Sequence, residues 1–115
     1  NSSSKTEGID VDLTALSSTM VYSEVYNMMA DPKSYIGKTV KMKGVTAIYH
    51  DEVDNNDYYA CIVQDAAACC AQGIEFQLEN GDYPAADKEI TVVGTFGTYE
   101  IEGYEYFTLK NAVMQ

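Results

Sequence analysis

The chain has 115 residues, 46% of them hydrophobic and 22% charged, enough for one domain with a single core and too few for two independent ones. Seven Lys, no Arg and eighteen acids leave a formal net charge of −11, which repels phosphate backbones and argues against nucleic acid as a ligand. The longest apolar stretches fall far short of the roughly 20 residues that span a bilayer.

Residues 1 to 12 open with Asn1-Ser2-Ser3-Ser4 and continue with Glu7, Gly8, Asp10 and Asp12. Such a segment has little to bury and reads as a flexible tether of the kind left when an export signal is removed, which places the domain outside the cytoplasm. The folded domain is expected over residues 13 to 115. Val21, Val25, Met28 and Met29 recur at i, i+4, i+7 and i+8, the apolar face of a helix over about 19–31 that Ser18 or Thr19 can cap. Asp31-Pro32 stops it.

Lys38 to His50 alternates Val40 and Met42 with lysines, then changes phase at Gly44. A glycine at that point marks a bulge or a sharp coil in a first strand. The acidic turn-former segment 51–57 leads into a second strand over Tyr58 to Asp65. Gly73 to Leu78 reads as a third strand, Lys88 to Phe96 as a fourth with its own Gly94, and Tyr104 to Val113 as a fifth after the Glu102-Gly103 turn.

Lys38 to Gly44 and Lys88 to Gly94 share a Lys-x-ϕ-x-ϕ-x-Gly core (ϕ apolar), and a mid-strand glycine lets one strand serve both halves of a small barrel. The expected fold is mainly β: a five-stranded OB-fold-like Greek-key barrel with one helix N-terminal to the barrel. That helix departs from the usual OB position between strands three and four. An open β-sandwich or an SH3-like barrel is the alternative.

The helix ending at Asp31-Pro32, the run Tyr35-Ile36-Gly37-Lys38-x-Val40-x-x-x-Gly44, the segment Cys69-Cys70-Ala71-x-Gly73 and Val93-Gly94-Thr95-Phe96 together resemble an uncharacterised family of secreted OB-fold lipoproteins of Firmicutes. The likeness covers about residues 20 to 113. More distantly, the chain is similar to the soluble module of certain permease-like bacterial membrane proteins, where a Gly-Lys-x-Val strand also precedes a Cys-Cys-Ala segment. The resemblance implies an extracytoplasmic, cell-surface domain held by a lipid anchor on a cysteine ahead of Asn1. It carries to function only at Cys69 and Cys70, and Gln72 stands where the distant group has Asp.

Adjacent thiols point to metal, redox or disulfide chemistry. Cys61, Cys69 and Cys70 allow three single disulfides or none. As thiolates, Cys69 and Cys70 suit zinc or copper(I), with Cys61, His50, Glu75 or Asp65 as further donors if the barrel brings them together. The motif lacks Cys-x-x-Cys spacing, and cysteines that are only buried or structural explain it equally well. His50, the single histidine, reads most simply as a surface residue beside acids, since no nucleophile motif accompanies it. The acids of 51–57 offer oxygen ligands for calcium but lack EF-hand spacing, and a solvated hairpin tip needs no ion.

Tyr49, Tyr58, Tyr59, Tyr99, Tyr104 and Tyr106 gather on strand ends and hairpins, as cross-strand packing pairs or as an aromatic face. Tyr49, Tyr58, Tyr59, Tyr104 and Tyr106 are the candidate ligand contacts, facing a protein or a glycan. Two non-enzymatic readings follow: a binding domain that holds a soft metal such as zinc through the Cys69-Cys70 loop, or an interaction module that uses the tyrosine face. A thiol redox enzyme is disfavoured because nothing in the sequence obviously lowers a thiol pKa.

Overall fold

The computed structural model describes residues 8–64 and 71–115. Within them lie strand β1 (Val11–Asp12), helix α1 (Ser18–Ala30), and strands β2 (Thr39–Asp51), β3 (Asn56–Gln64), β4 (Ala71–Leu78), β5 (Glu89–Ile101) and β6 (Tyr104–Met114). Single 3₁₀ turns at Leu13–Ala15 and Pro32–Ser34 flank the helix. The strand count among the described residues is therefore six, where the sequence predicts five. The extra strand is a two-residue parallel pairing, Val11 opposite Val40 and Asp12 opposite Lys41, inside the stretch expected to be tether. A pairing this short leaves no alternating pattern to read.

α1 starts one residue before its expected range because Ser17, not Ser18 or Thr19, caps it: its hydroxyl accepts from the Met20 amide at 3.3 Å, satisfying a donor the first turn leaves open. Of the expected apolar face, Val25 and Met28 are fully buried, Val21 is half-buried and Met29 is exposed. Tyr35 ties the helix to the sheet, donating to Glu24 Oε2 at 2.8 Å while its ring meets Phe96 edge-on at 6.4 Å.

The five long strands form a partial barrel-like ring. β2 pairs antiparallel with β3 and β5, β3 with β4, and β5 with β6, while β4 and β6 run parallel. The ring is uneven, since the β4–β6 pairing is short and shifts register between Phe76 and Leu78. The phase change expected at Gly44 does not occur, since Thr46 continues the inward parity of Val40 and Met42 while Val45 and Tyr49 are exposed; Gly44 and Gly94 instead mark where strands change partners. Around Gly44, β2 passes from β5, opposite Ile90, to β3, where Val45 faces Ile62. Gly94 sits in the register shift between Val93 and Thr95, where β5 joins β2 to β6. Inside lie Met42, Ile74, Phe76, Val92, Phe96 and Leu109, each at most 1% exposed, and burying side chains of this size contributes about 1.5–3 kcal/mol each.

Candidate functional site

Side chains alternate faces along a strand, so the inward set of β3 and β4 (Cys61, Val63; Ile74, Phe76, Leu78) turns Tyr58, Ala60 and Glu75 to the outer face. The registers then build one row across the outside of the ring: Ala47 opposite Ala60, Ala60 opposite Glu75, Glu75 opposite Thr108, and Thr108 opposite Gly97. The four neighbours are small, so the Glu75 carboxyl stands on an open floor. Two residues along β2 and β3, Tyr49 faces Tyr58. Two residues along β5 and β6, in the opposite sense relative to Glu75, Tyr99 faces Tyr106. The two tyrosine pairs thus stand diagonally across the carboxyl, one on each hairpin.

The result is a cleft of about 480 Å³, lined by Ala47, Ile48, Tyr49, Asp51, Tyr58, Tyr59, Ala60, Glu75, Tyr99, Ile101 and Tyr106. Tyr99 and Tyr106 stack with ring centroids 5.4 Å apart and planes 23° from parallel. Tyr59 contributes its edge from the inner side, where it stacks on Tyr83 at 4.0 Å and tilts against Phe76. The cleft therefore rests on packed aromatic core. Tyr104, opposite Ile101 and 71% exposed, lies beyond the lining near the hairpin tip.

Glu75 is held from one side. The Tyr99 hydroxyl donates to Oε1 at 2.6 Å, and Gln77 Nε2 reaches Oε2 only at 3.5 Å. Burial raises the Glu75 carboxyl above the usual glutamate range, and the neighbouring donors Tyr99, Thr108 and Gln77 offset this only in part. The Tyr99 phenol is raised too, first by burial and then by the carboxylate it donates to. The Thr108 hydroxyl beside Glu75 is buried and makes no hydrogen bond of normal geometry. At the rim the Tyr58 hydroxyl donates to Asp54 Oδ2, which pushes the phenol up to about 12 and holds the Asp54 carboxyl below its ordinary value.

The acids of the β2–β3 hairpin have local work. Asp51 accepts from the Val53 amide at 2.8 Å and Asp54 from the Asn56 amide at 3.0 Å, around a left-handed Asn55 with φ 58°, the side-chain turn bonds these residue types favour.

The other sequence candidates do not converge on the cleft. Cys61 is fully buried opposite Thr46, and burial pushes its thiol up to about 12, the opposite of what a thiolate ligand or nucleophile needs. His50 lies four residues from Thr46 on β2, roughly 13 Å along the strand, and its Nδ1 sits 2.7 Å from Asp57 Oδ1 at an exposed cross-strand pair. The structure thus does not bring Cys61 and His50 together. Cys69, Cys70 and Asp65 lie outside the described residues. Among the described residues no three His, Cys, Asp or Glu side chains gather as a metal-binding set.

The tyrosines put forward from sequence divide accordingly: Tyr49, Tyr58, Tyr59 and Tyr106 share the cleft and Tyr104 does not. Sequence reasoning passed over Glu75 as the cleft floor and Tyr99 as its donor. The available signal was a single carboxylate between the buried Ile74 and Phe76, at an outward position of β4. A second groove of about 570 Å³, between Leu13, Leu16 and Val21 on one side and Val45 and Ile62 on the other, runs to Gln64 at the edge of the described residues; its charged groups are Asp87 and the Lys43–Glu89 pair, which meet each other at 3.9 Å, and no tyrosine lines it. Comparison with protein-family models, curated proteins and solved structures finds no match.

Proposed function

We propose that this protein is a non-enzymatic, extracytoplasmic binding module of the OB type, held at the cell surface by an N-terminal lipid anchor as in the lipoproteins it resembles, and that it engages a protein or glycan in the tyrosine cleft. The cleft carries this reading. OB domains bind across the face of their second and third strands, between the loop joining strands one and two and the loop joining strands four and five. Counting the long strands β2 to β6 as one to five, the cleft occupies that place. The parallel β4–β6 pair and the closing β2–β5 pair match the order of such a barrel.

With no Arg and a net charge of −11, a polyphosphate ligand is disfavoured, and tyrosine faces favour sugars and protein side chains. This reading is preferred to a zinc site at Cys69 and Cys70 because the further donors Cys61 and His50 are engaged elsewhere, one in the core and one with Asp57.

The test is a cleft-filling variant. Ala60→Phe places a ring over the floor beside Glu75 without entering the core. Capture of the protein on glycan and peptide arrays is expected to fall by about tenfold or more, with a Tm within about 4 °C of the parent, the shift of roughly 1 kcal/mol in a domain this size. Undiminished capture at an unchanged Tm would place the binding face elsewhere.

A further inference from the structure

The cleft has a chemical asymmetry that a neutral ligand would leave unanswered. Its lining holds two carboxylates, Glu75 and Asp51, and no Lys or His. Among the described residues the ion pairs are Lys43–Glu89 and His50–Asp57, neither of which reaches Glu75. A half-buried carboxylate is costly unless its charge is met. Tyr99 meets Oε1, the 3.5 Å approach of Gln77 leaves Oε2 with acceptor capacity, and the buried Thr108 hydroxyl next to it makes no hydrogen bond of normal geometry. Among the described residues the cleft lining supplies the aromatic walls, the carboxylate and the oxygen acceptors but no cation, Lys110 lying outside it with its stem over Gly97.

We propose that the cleft is an arginine-docking site: the guanidinium of an arginine side chain on a partner protein enters between Tyr58 and the Tyr99–Tyr106 pair and donates to the Glu75 carboxylate. This rests on the reading of the cleft as the binding face and names what fills it. Guanidinium is favoured over ammonium on three grounds. It is planar, so it stacks on a tyrosine face while its edge still donates in plane; it is more weakly hydrated, so entering a half-buried site costs less; and its fork can serve Glu75 together with a second acceptor such as Thr108. Charge complementarity acts at longer range as well. The β5–β6 hairpin places Glu100 directly opposite Glu105, on the face of the hairpin away from Tyr99 and Tyr106, with Glu102 in the turn; this like-charge pairing is unfavourable in isolation and acts on a basic partner only as long-range attraction toward this end of the molecule.

The experiment is an amide chemical-shift titration of the isotope-labelled protein with the pentapeptide acetyl-Gly-Gly-Arg-Gly-Gly-amide and with its lysine and citrulline counterparts. Citrulline keeps the shape of arginine and removes the charge. The arginine peptide is expected to shift the amides of Ala60, Glu75, Tyr99 and Tyr106, to bind about tenfold or more tightly than the citrulline peptide, to bind more tightly than the lysine peptide, and to weaken as salt is raised. Glu75→Gln, which keeps an acceptor for Tyr99, is expected to reduce the arginine affinity to that of citrulline. Equal binding of arginine and citrulline, equal binding of arginine and lysine, or an unaltered affinity in a folded Glu75→Gln protein would each overturn the proposal. Chitohexaose titrated into the same sample separates the two levels: cleft shifts with the sugar but not with the arginine peptide would discard arginine and keep the cleft as the binding face, whereas no cleft shift with either would discard both.

Discussion

Gly44→Ala is expected to cost about 3 kcal/mol or more and to lower Tm by roughly 12 °C or more, the upper end of overpacking effects in a domain this small. A Cβ at Gly44 would lie 2.4 Å from the Ile62 carbonyl oxygen and 2.8 Å from Cys61 Sγ. The first of these is backbone of the adjacent strand and cannot rotate away. Relief requires β2 to move off β3 where β2 changes partner, which loosens both pairings and the buried Cys61 between them. Gly97→Ala is the matched comparison: its Cβ would meet only the flexible stem of Lys110, nearest at 3.2 Å, so a much smaller loss is expected. Thermal melts of both variants decide the matter, and a Gly44→Ala protein as stable as Gly97→Ala would contradict the close approach of β2 to β3.

Glu75→Gln is expected to raise Tm at pH 7, and the gain over the parent should vanish as pH falls below the ordinary glutamate range. The sign follows from linkage. The folded carboxyl titrates above its unfolded value because burial disfavours the charge, so between the two pKa values the folded state binds more protons than the unfolded state, and stability falls as pH rises through that window. Above the window the parent carries a half-buried charge that glutamine does not. Glutamine's weaker acceptance from Tyr99 works against the gain without reversing it, since burial outweighs the hydrogen bonds in setting the direction of the shift. The acids Glu75 shares with the variant, including Asp54 with its lowered carboxyl, cancel in the difference between the two proteins. Melts of both from pH 3 to pH 8 test this; a variant uniformly less stable than the parent would show that the carboxylate is fully compensated. A carboxyl whose burial weakens the fold is what a ligand-facing group looks like.

The elements legible from sequence were those whose periodicity is enforced by the core. Val40 and Met42, Ile74 and Phe76, and Ile90 and Val92 alternate because one face of each strand is inside, and Gly44 and Gly94 lie where a strand changes partner too closely to its neighbour to admit a side chain, without reversing the inward parity of either strand. β1 was not legible, since two residues held by pairing with β2 carry no period of their own. β5 runs on to Ile101, past the expected end at Phe96, because its second half pairs with β6 as a hairpin with one face open to solvent.

The site was legible in its residue type and not in its geometry. The tyrosines announced an aromatic face, but which of them share a cleft depends on register across five strands, and register is a long-range property that a one-residue slip would invert. Glu75 becomes the floor only because Ala47, Ala60, Thr108 and Gly97 arrive beside it from four other strands. Cys61 shows the converse. Its residue type suggested a ligand, and its inward parity on β3 makes it core.

The measurement that bears most directly on the cleft as binding face is amide chemical-shift mapping of the parent and the Ala60→Phe protein against one mixed panel of neutral oligosaccharides and basic peptides. The largest shifts in the parent are expected at Tyr49, Tyr58, Ala60, Glu75, Tyr99 and Tyr106, and they should disappear in Ala60→Phe while the rest of the spectrum is preserved. Shifts centred instead on Leu16, Val45 and Ile62, and persisting in Ala60→Phe, would contradict the account and move the binding face to the groove beside α1.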